Sequence, residues 1–431
     1  MITILAFVFV LGVLVFVHEL GHFLVARWHG VRVVTFSLGF GPKVLKYQRG
    51  DTEYCVSVVP LGGYVKLAGE TVEDSVTGAP DEFLSKSRWV RFQVYLAGPI
   101  MNLLLAFFVL AGVLSTGADQ PTYYLEQPIV GSVTEDSPGE LAGLQLGDLI
   151  LAVNGRDVAT WDAYNAEVLP RANRETTLLI ERNGQRFEVA ATPDSMGRYE
   201  FGELGVGPRF RPQLTQVNPG SPADRAGLQN GDVVLAINGQ TGLEYEDVIA
   251  QIQSHPEQSI SLVVERAGAP IELTAVPGDN GGLGQLGVLI SMYELRRIDP
   301  TLWEAFGLSA RQNWDNTLLI GRTLRGLFTR ETPVGQLMGP VAIAELSGSA
   351  ASIGWVALFN LMAMISLNLG LINLMPIPVL DGGHIAILAV EGTTRRDLSM
   401  RVKERILLAG AAVIVLLMVT VIYNDIARLL R

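Results

Sequence analysis

The segment His18-Glu19-Leu20-Gly21-His22 places two imidazoles and a carboxylate within five residues. On a helix, residues four apart share a face, so His18 and His22 can hold one divalent metal while Glu19 stands beside them as a general base for water. The chemistry this arrangement serves is metal-assisted hydrolysis. The five-residue pattern also arises on ordinary soluble helices, but here it closes an apolar run that begins at Ile2. An ionisable group at the centre of a bilayer costs about 2.5–3.5 kcal/mol even on permissive scales, and such groups mark function. The plainer alternative is a helix that leaves the membrane with these side chains wetted at the interface.

A catalytic zinc site takes three protein ligands and keeps one position open. Cys55 is the single cysteine, so nitrogen and oxygen must supply the set. The remaining histidines are His29, His255 and His384, and His255 falls in an acidic segment far along the chain. The strongest third ligand is Asp381, in the run Asn373-Leu-Met-Pro-Ile-Pro-Val-Leu-Asp-Gly-Gly-His384, with His384 the second choice. Pro376 and Pro378 break the helix just before it. Irregular backbone at membrane depth is tolerated only around a protein-lined or watery cavity.

Positioning these groups requires membrane helices. Charged residues are 17% of the 431 and hydrophobic ones 49%, with a mean hydropathy of +0.32. Four stretches approach the roughly 20 residues that a bilayer core demands, over 1–26, 94–116, 354–376 and 406–423. The first lacks the basic start and small-residue cleavage site of a secretion signal. All five lysines lie in the segments 27–93 and 377–405, between the first and second spans and between the third and fourth. The positive-inside rule makes both segments cytoplasmic and puts the long middle segment and both termini outside. Residues 119–300 hold 26 Asp and Glu against 12 Arg and no Lys. That acidity suits a translocated, soluble region and makes nucleic acid an improbable partner.

The cytoplasmic segment 27–93 reads as a small membrane-associated sheet. Tyr54–Val59 and Tyr64–Leu67 flank a Pro/Gly turn, and Gly39-Phe40-Gly41 makes a bend upstream. The outer segment holds a repeat: residues 137–155 and 221–239 are identical at 12 of 19 positions, 84 residues apart. A period this long suits two copies of a small domain. Each copy runs short helix, Gly-Asp turn, apolar strand and Asn-Gly turn, a pattern that resembles the PDZ domain. The expected domains are 120–205 and 206–291. Such a domain captures an extended peptide by strand addition, with a free carboxylate held by backbone amides, or serves only as a spacer. Leu204-Gly205-Val206 is the expected carboxylate loop of the second copy, with no equivalent ahead of the first. Residues 300–350 mix Trp303, Phe306, Trp314 and Leu318 with Arg311, Arg322 and Arg325. They read as an amphipathic helix on the outer membrane face or one packed against a PDZ copy.

Taken together, His18–His22 in the first span, the Gly-Phe-Gly bend, Gly98-Pro99-Ile100-Met101-Asn102 in the second, and the Asp381 motif after the third resemble the site-2 protease family across the whole chain. The resemblance implies a polytopic helical membrane protein with four transmembrane helices, a cytoplasmic-side β-hairpin or sheet, and two extracytoplasmic PDZ domains. It implies one zinc ion on His18, His22 and Asp381, with Glu19 as general base. It also implies substrate contact at Asn368, Asn373, Pro376 and Pro378. The implied partners are the bilayer and a transmembrane-segment substrate, such as an anti-sigma factor already trimmed by another protease, or a remnant signal peptide. The implied location is the bacterial inner membrane, with the PDZ domains periplasmic. Two other classes compete: a non-catalytic PDZ scaffold with a structural metal, and a metal transporter. A scaffold has no use for Glu19, and transport favours ligands on both sides of the midplane.

Overall fold

The computed structural model describes residues 2–70, 77–197, 200–329 and 338–429. It divides into two compact units, one formed by Met1–Thr116 with Asp299–Arg431, the other by Gly117–Ile298.

The first unit contains seven long helices among the described residues: α1 (Ile2–Trp28), α2 (Arg88–Ser115), α3 (Leu302–Phe328), α4 (Pro340–Ile353), α5 (Trp355–Asn373), α6 (Asp381–Thr394) and α7 (Met400–Leu429). Of these, α1, α2, α5 and α7 are long and apolar enough to cross a membrane. Among them, α1, α2 and α7 run past their apolar stretches into polar residues, of which Arg91 and Asp425 are buried against the protein. Gly30, at φ +63°, stops α1: its amide donates to Arg27 O, and the Val31 amide to Ala26 O. This left-handed cap ends the helix two turns beyond His22 and turns the chain into a sheet.

That sheet is made by β1 (Val33–Arg49) and β2 (Thr52–Leu67). The chain bends at Gly39 and Gly41, both at positive φ. Thr35–Leu38 consequently face Glu53–Val56 on one side and Gly63–Lys66 on the other. Beyond the bend, Lys43–Arg49 pair with Thr52–Ser57.

The helices approach closely where glycine permits. A Cβ on Gly21 would stand 2.4 Å from Ala97 O, so α1 and α2 cross at backbone contact. Gly370 packs α5 against Leu103 and the Pro99 carbonyl of α2, and the Ser366 hydroxyl donates to Asn102 O at 2.8 Å. The 300–350 segment, described over 300–329 and 338–350, contributes α3 and α4 to the first unit. In α3, Phe306 stacks on Phe107 of α2 at 5.6 Å and the Ser309 hydroxyl donates to Phe107 O. Only part of the apolar face of α3 is used on this neighbouring helix, since Trp303, Trp314 and Leu318 stay exposed. Residues 330–337 lie outside the described ones.

The second unit consists of two β-rich modules. In the first, Leu149–Val153 pairs with Arg156–Asp157 and with Thr176–Arg182, which pairs with Gln185–Ala191. In the second, Val233–Ile237, Ile260–Arg266 and Ala269–Ala275 repeat this order. Asn154-Gly155 and Asn238-Gly239 have positive φ at both residues, the mirror-image turn that suits a two-residue hairpin. Separate cores form around Trp161, Leu178 and Ile180 and around Ile237, Leu262 and Val264.

The expected carboxylate loop belongs to the other module. Leu204 lies in the first core, Val206 pairs with Val133, and the Thr134 amide donates to Gly205 O. Leu286-Gly287-Val288 does the same in the second module: Leu286 enters the second core and the Asn218 amide donates to Gly287 O. Each module is thus closed by a segment from its C-terminal side, so the repeating unit ends after the tripeptide. The second Leu-Gly-Val, 82 residues after the first, was the available signal.

Candidate metal centre

Local chain chemistry brings three ligand atoms together. His18 and His22 share the inner face of α1. Asp381 begins α6, after an irregular turn in which Val379 adopts φ +83°. A β-branched residue at positive φ is strained, and such strain persists where the surroundings over-determine it. Gly382 and Gly383 make the turn possible, since Cβ atoms there would lie 2.2 Å from Met375 O and Ile377 O.

His18 Nε2 lies 3.2 Å from Asp381 Oδ2, and His22 Nε2 3.5 Å from it. The two Nε2 atoms are 3.3 Å apart. Ligands bound about 2.0–2.1 Å from a tetrahedral zinc stand roughly 3.3–3.4 Å from one another. The donor set therefore fits zinc in both type and spacing, and the three side chains are 12–15% exposed.

The atoms behind the ligands aim them. His22 Nδ1 lies 2.7 Å from the Val94 carbonyl, which can only accept, so Nδ1 carries the proton and Nε2 is free to coordinate. A Cβ on Gly98 would fall 2.3 Å from His22 Nε2, so only glycine lets α2 pass this close. His18 Nδ1 faces the Asn102 amide nitrogen at 3.1 Å, while Asn102 Oδ1 is buried without a partner. Flipping that amide exchanges its O and N positions. It then accepts from His18 Nδ1–H and frees Nε2 in the same sense.

The ligand atoms open onto a cavity of about 260 Å³ lined by Glu19, Gly63, Tyr64, Val65, Asn373 and His384, among others. Of the residues expected at the substrate, Asn373 lines it and Asn368, Pro376 and Pro378 do not. Five helical residues turn the chain by about 140°, so Asn368 and Asn373 cannot share a face. Pro376 is exposed, and Pro378 packs against Gly410 of α7. Tyr95, Glu70 and Gly98 escaped the sequence reading. Gly98 sat in a motif assigned only to the second span, and nothing in the sequence set Tyr95 or Glu70 apart. The Tyr95 ring stacks on His384 at 4.6 Å with 7° between planes.

These features define a membrane-embedded metalloprotease, and the relatives agree. Residues 6–417 match Peptidase family M50, and the chain belongs to that family. It is 35% identical over 454 residues to a Vibrio cholerae protein described as "Putative zinc metalloprotease", covering 99% of this chain and 98% of the relative. It is 34% identical to "Regulator of sigma-E protease RseP" of Escherichia coli, covering 98% of each. To "Protease RseP" of Yersinia pestis it is 33% identical, covering 99% of each. The protein is a zinc-dependent membrane protease.

Proposed function

We propose that His18, His22 and Asp381 hold the zinc and that Glu19 handles the proton in hydrolysis of peptide bonds within transmembrane segments of single-span substrates. The observation that carries this reading is the meeting of three ligand atoms from α1 and α6 at tetrahedral spacing. Bound there, zinc supplies a Lewis acid for the scissile carbonyl and lowers the pKa of water. Glu19 takes the proton that water loses on attacking the carbonyl carbon, then delivers it to the leaving nitrogen as the C–N bond breaks. A transmembrane substrate arrives with its carbonyls locked in helical hydrogen bonds, so the stretch to be cut must unwind. Gly63–Val65 present one strand edge to β1 and line the cavity on their other side. The Val65 backbone amide meets Glu19 there, and the edge beside it suits strand addition by the unwound segment, with the Asn373 amide nearby.

The lysine-bearing segments favour a cytoplasmic face for β1 and β2 and a periplasmic place for residues 117–298 in an inner membrane. The two modules are read as PDZ domains that act as a gate, excluding substrates that still carry a bulky outer domain. The Escherichia coli relative is named for sigma-E regulation, and together with the family resemblance this favours a trimmed anti-sigma factor as substrate, with remnant signal peptides as further ones. Glu19→Gln tests the reading: purified protein should keep its zinc while cleavage of a membrane-spanning substrate falls by about 10²–10⁴-fold. Undiminished cleavage would overturn it.

A further inference from the structure

Beside the metal centre lies a second cavity, of about 520 Å³, which shares Glu70, Tyr95, Val379 and His384 with the first. Its remaining walls are mostly apolar, with Leu84, Ile387, Leu388 and Leu408 prominent. Two cations line it. Lys403 pairs with the fully buried Glu391 at 2.6 Å. Arg91, in the second turn of α2, is only 8% exposed, and its Nε has no hydrogen-bond partner. Among the described residues no carboxylate forms an ion pair with it. Of the lining acids, Glu404 is exposed and Glu70 accepts from the Leu67 amide.

Asp397, bonded to Arg88, is near enough to feel the charge of Arg91 but forms no hydrogen bond with it. A buried guanidinium without a hydrogen-bonded counter-group is costly, and its planar fork matches a carboxylate. Peptide hydrolysis in an apolar segment produces such a ligand: a new C-terminal carboxylate on an apolar chain. Gly98, against His22, and Arg91 are seven residues apart on α2, about 10 Å along the helix axis. That is a shift of about three extended residues.

We propose that the second cavity receives the newly formed C-terminal carboxylate of the departing fragment, with Arg91 as its anchor. Hydrolysis supplies both product termini, so no further reactant is needed. The proposal rests on the protease reading above, and wild-type cleavage in the same assay tests that reading separately.

The full chain in detergent is assayed with synthetic apolar peptides that end at the cut of a transmembrane test substrate, as free acids and as amides. The acid should inhibit about tenfold more strongly than the amide, the worth of one charge-assisted hydrogen bond. Arg91→Gln should erase that preference while zinc content is retained, and Arg91→Lys should restore part of it. A preference that survives Arg91→Gln puts the carboxylate on the metal and overturns the proposal, as does equal inhibition by acid and amide in the wild type. Activity that depends on phosphatidylglycerol through Arg91, with acid and amide equivalent, assigns the cavity to lipid and also overturns it. Should Arg91→Gln fail to fold, Leu408→Trp fills the apolar end. It should slow steady-state turnover more than a single turnover, and equal slowing of both counts against the proposal.

Discussion

Asp148 and Asp381 are both withdrawn carboxylates facing cationic or potentially cationic partners, and they have opposite uses. Asp148 is fully buried, accepts from Arg182 Nε and NH2 at 2.6 and 2.7 Å, and accepts from the Gln145 amide at 2.8 Å. The second module repeats the lock with Asp232, Arg266 and the Gln229 amide. In both, the arginine also donates to a glycine carbonyl, Gly143 O or Gly227 O. Every lone pair that matters is answered, and the group is structural. Asp381 instead faces two imidazoles whose other nitrogens are already engaged, with room for an ion between the three. A buried carboxylate saturated by fixed donors holds a fold, whereas one converging with half-engaged ligands awaits a metal.

Asp381→Asn gives the largest expected effect. The amide keeps the shape and loses the charge, so zinc content and cleavage should both collapse while residues 117–298 keep their resistance to added protease. Loss of that resistance would erase the contrast between the two carboxylates. Asn102→Ala should come next, weakening zinc affinity by about 10–100-fold through misorientation of His18, measured by competition with a chelator. Asp148→Asn breaks a fully formed lock and should cost about 2 kcal/mol of local stability with zinc unchanged. Limited proteolysis reads it, and Asp232→Asn should match it if the two locks are equivalent.

The smallest effect is on pH. Burial raises the Asp148 carboxyl, but Arg182 and the Gln145 amide outweigh it, leaving the pKa below the ordinary 3.8. A depressed folded pKa adds stability that is complete above the unfolded value and is lost as pH falls through the folded one. Protease resistance of the first module should therefore decline on acidification below about pH 4, and Asp148→Asn should flatten that decline. A wild-type profile as flat as the variant's would remove the ion pair from the account.

Much of this was legible in the residues. The four apolar spans follow from composition, because a bilayer imposes a length and forbids charge. The pair His18 and His22 follows from helical periodicity, and the module repeat from identity at fixed spacing. The Leu204 tripeptide was assigned to the wrong module because linear order suggests that a loop opens the domain beside it. Only packing shows that this one closes the domain before it. The contact of α3 with Phe107 was equally hidden, since an amphipathic pattern states that a face is apolar without naming its neighbours.

The sequence by itself determined the chemistry available: imidazoles four residues apart on an apolar helix, a distant aspartate after a proline-broken turn, and no thiol able to complete a metal site. Local spacing settles these things, because they depend on backbone periodicity and on side-chain type. Tertiary structure alone decided that Asp381 meets His18 and His22, that Val94 O and Asn102 set their free nitrogens, and that Arg91 lines a neighbouring cavity with its Nε unpartnered. Those facts depend on how closely glycine lets α1, α2 and α5 approach, and no one-dimensional pattern encodes a distance between helices.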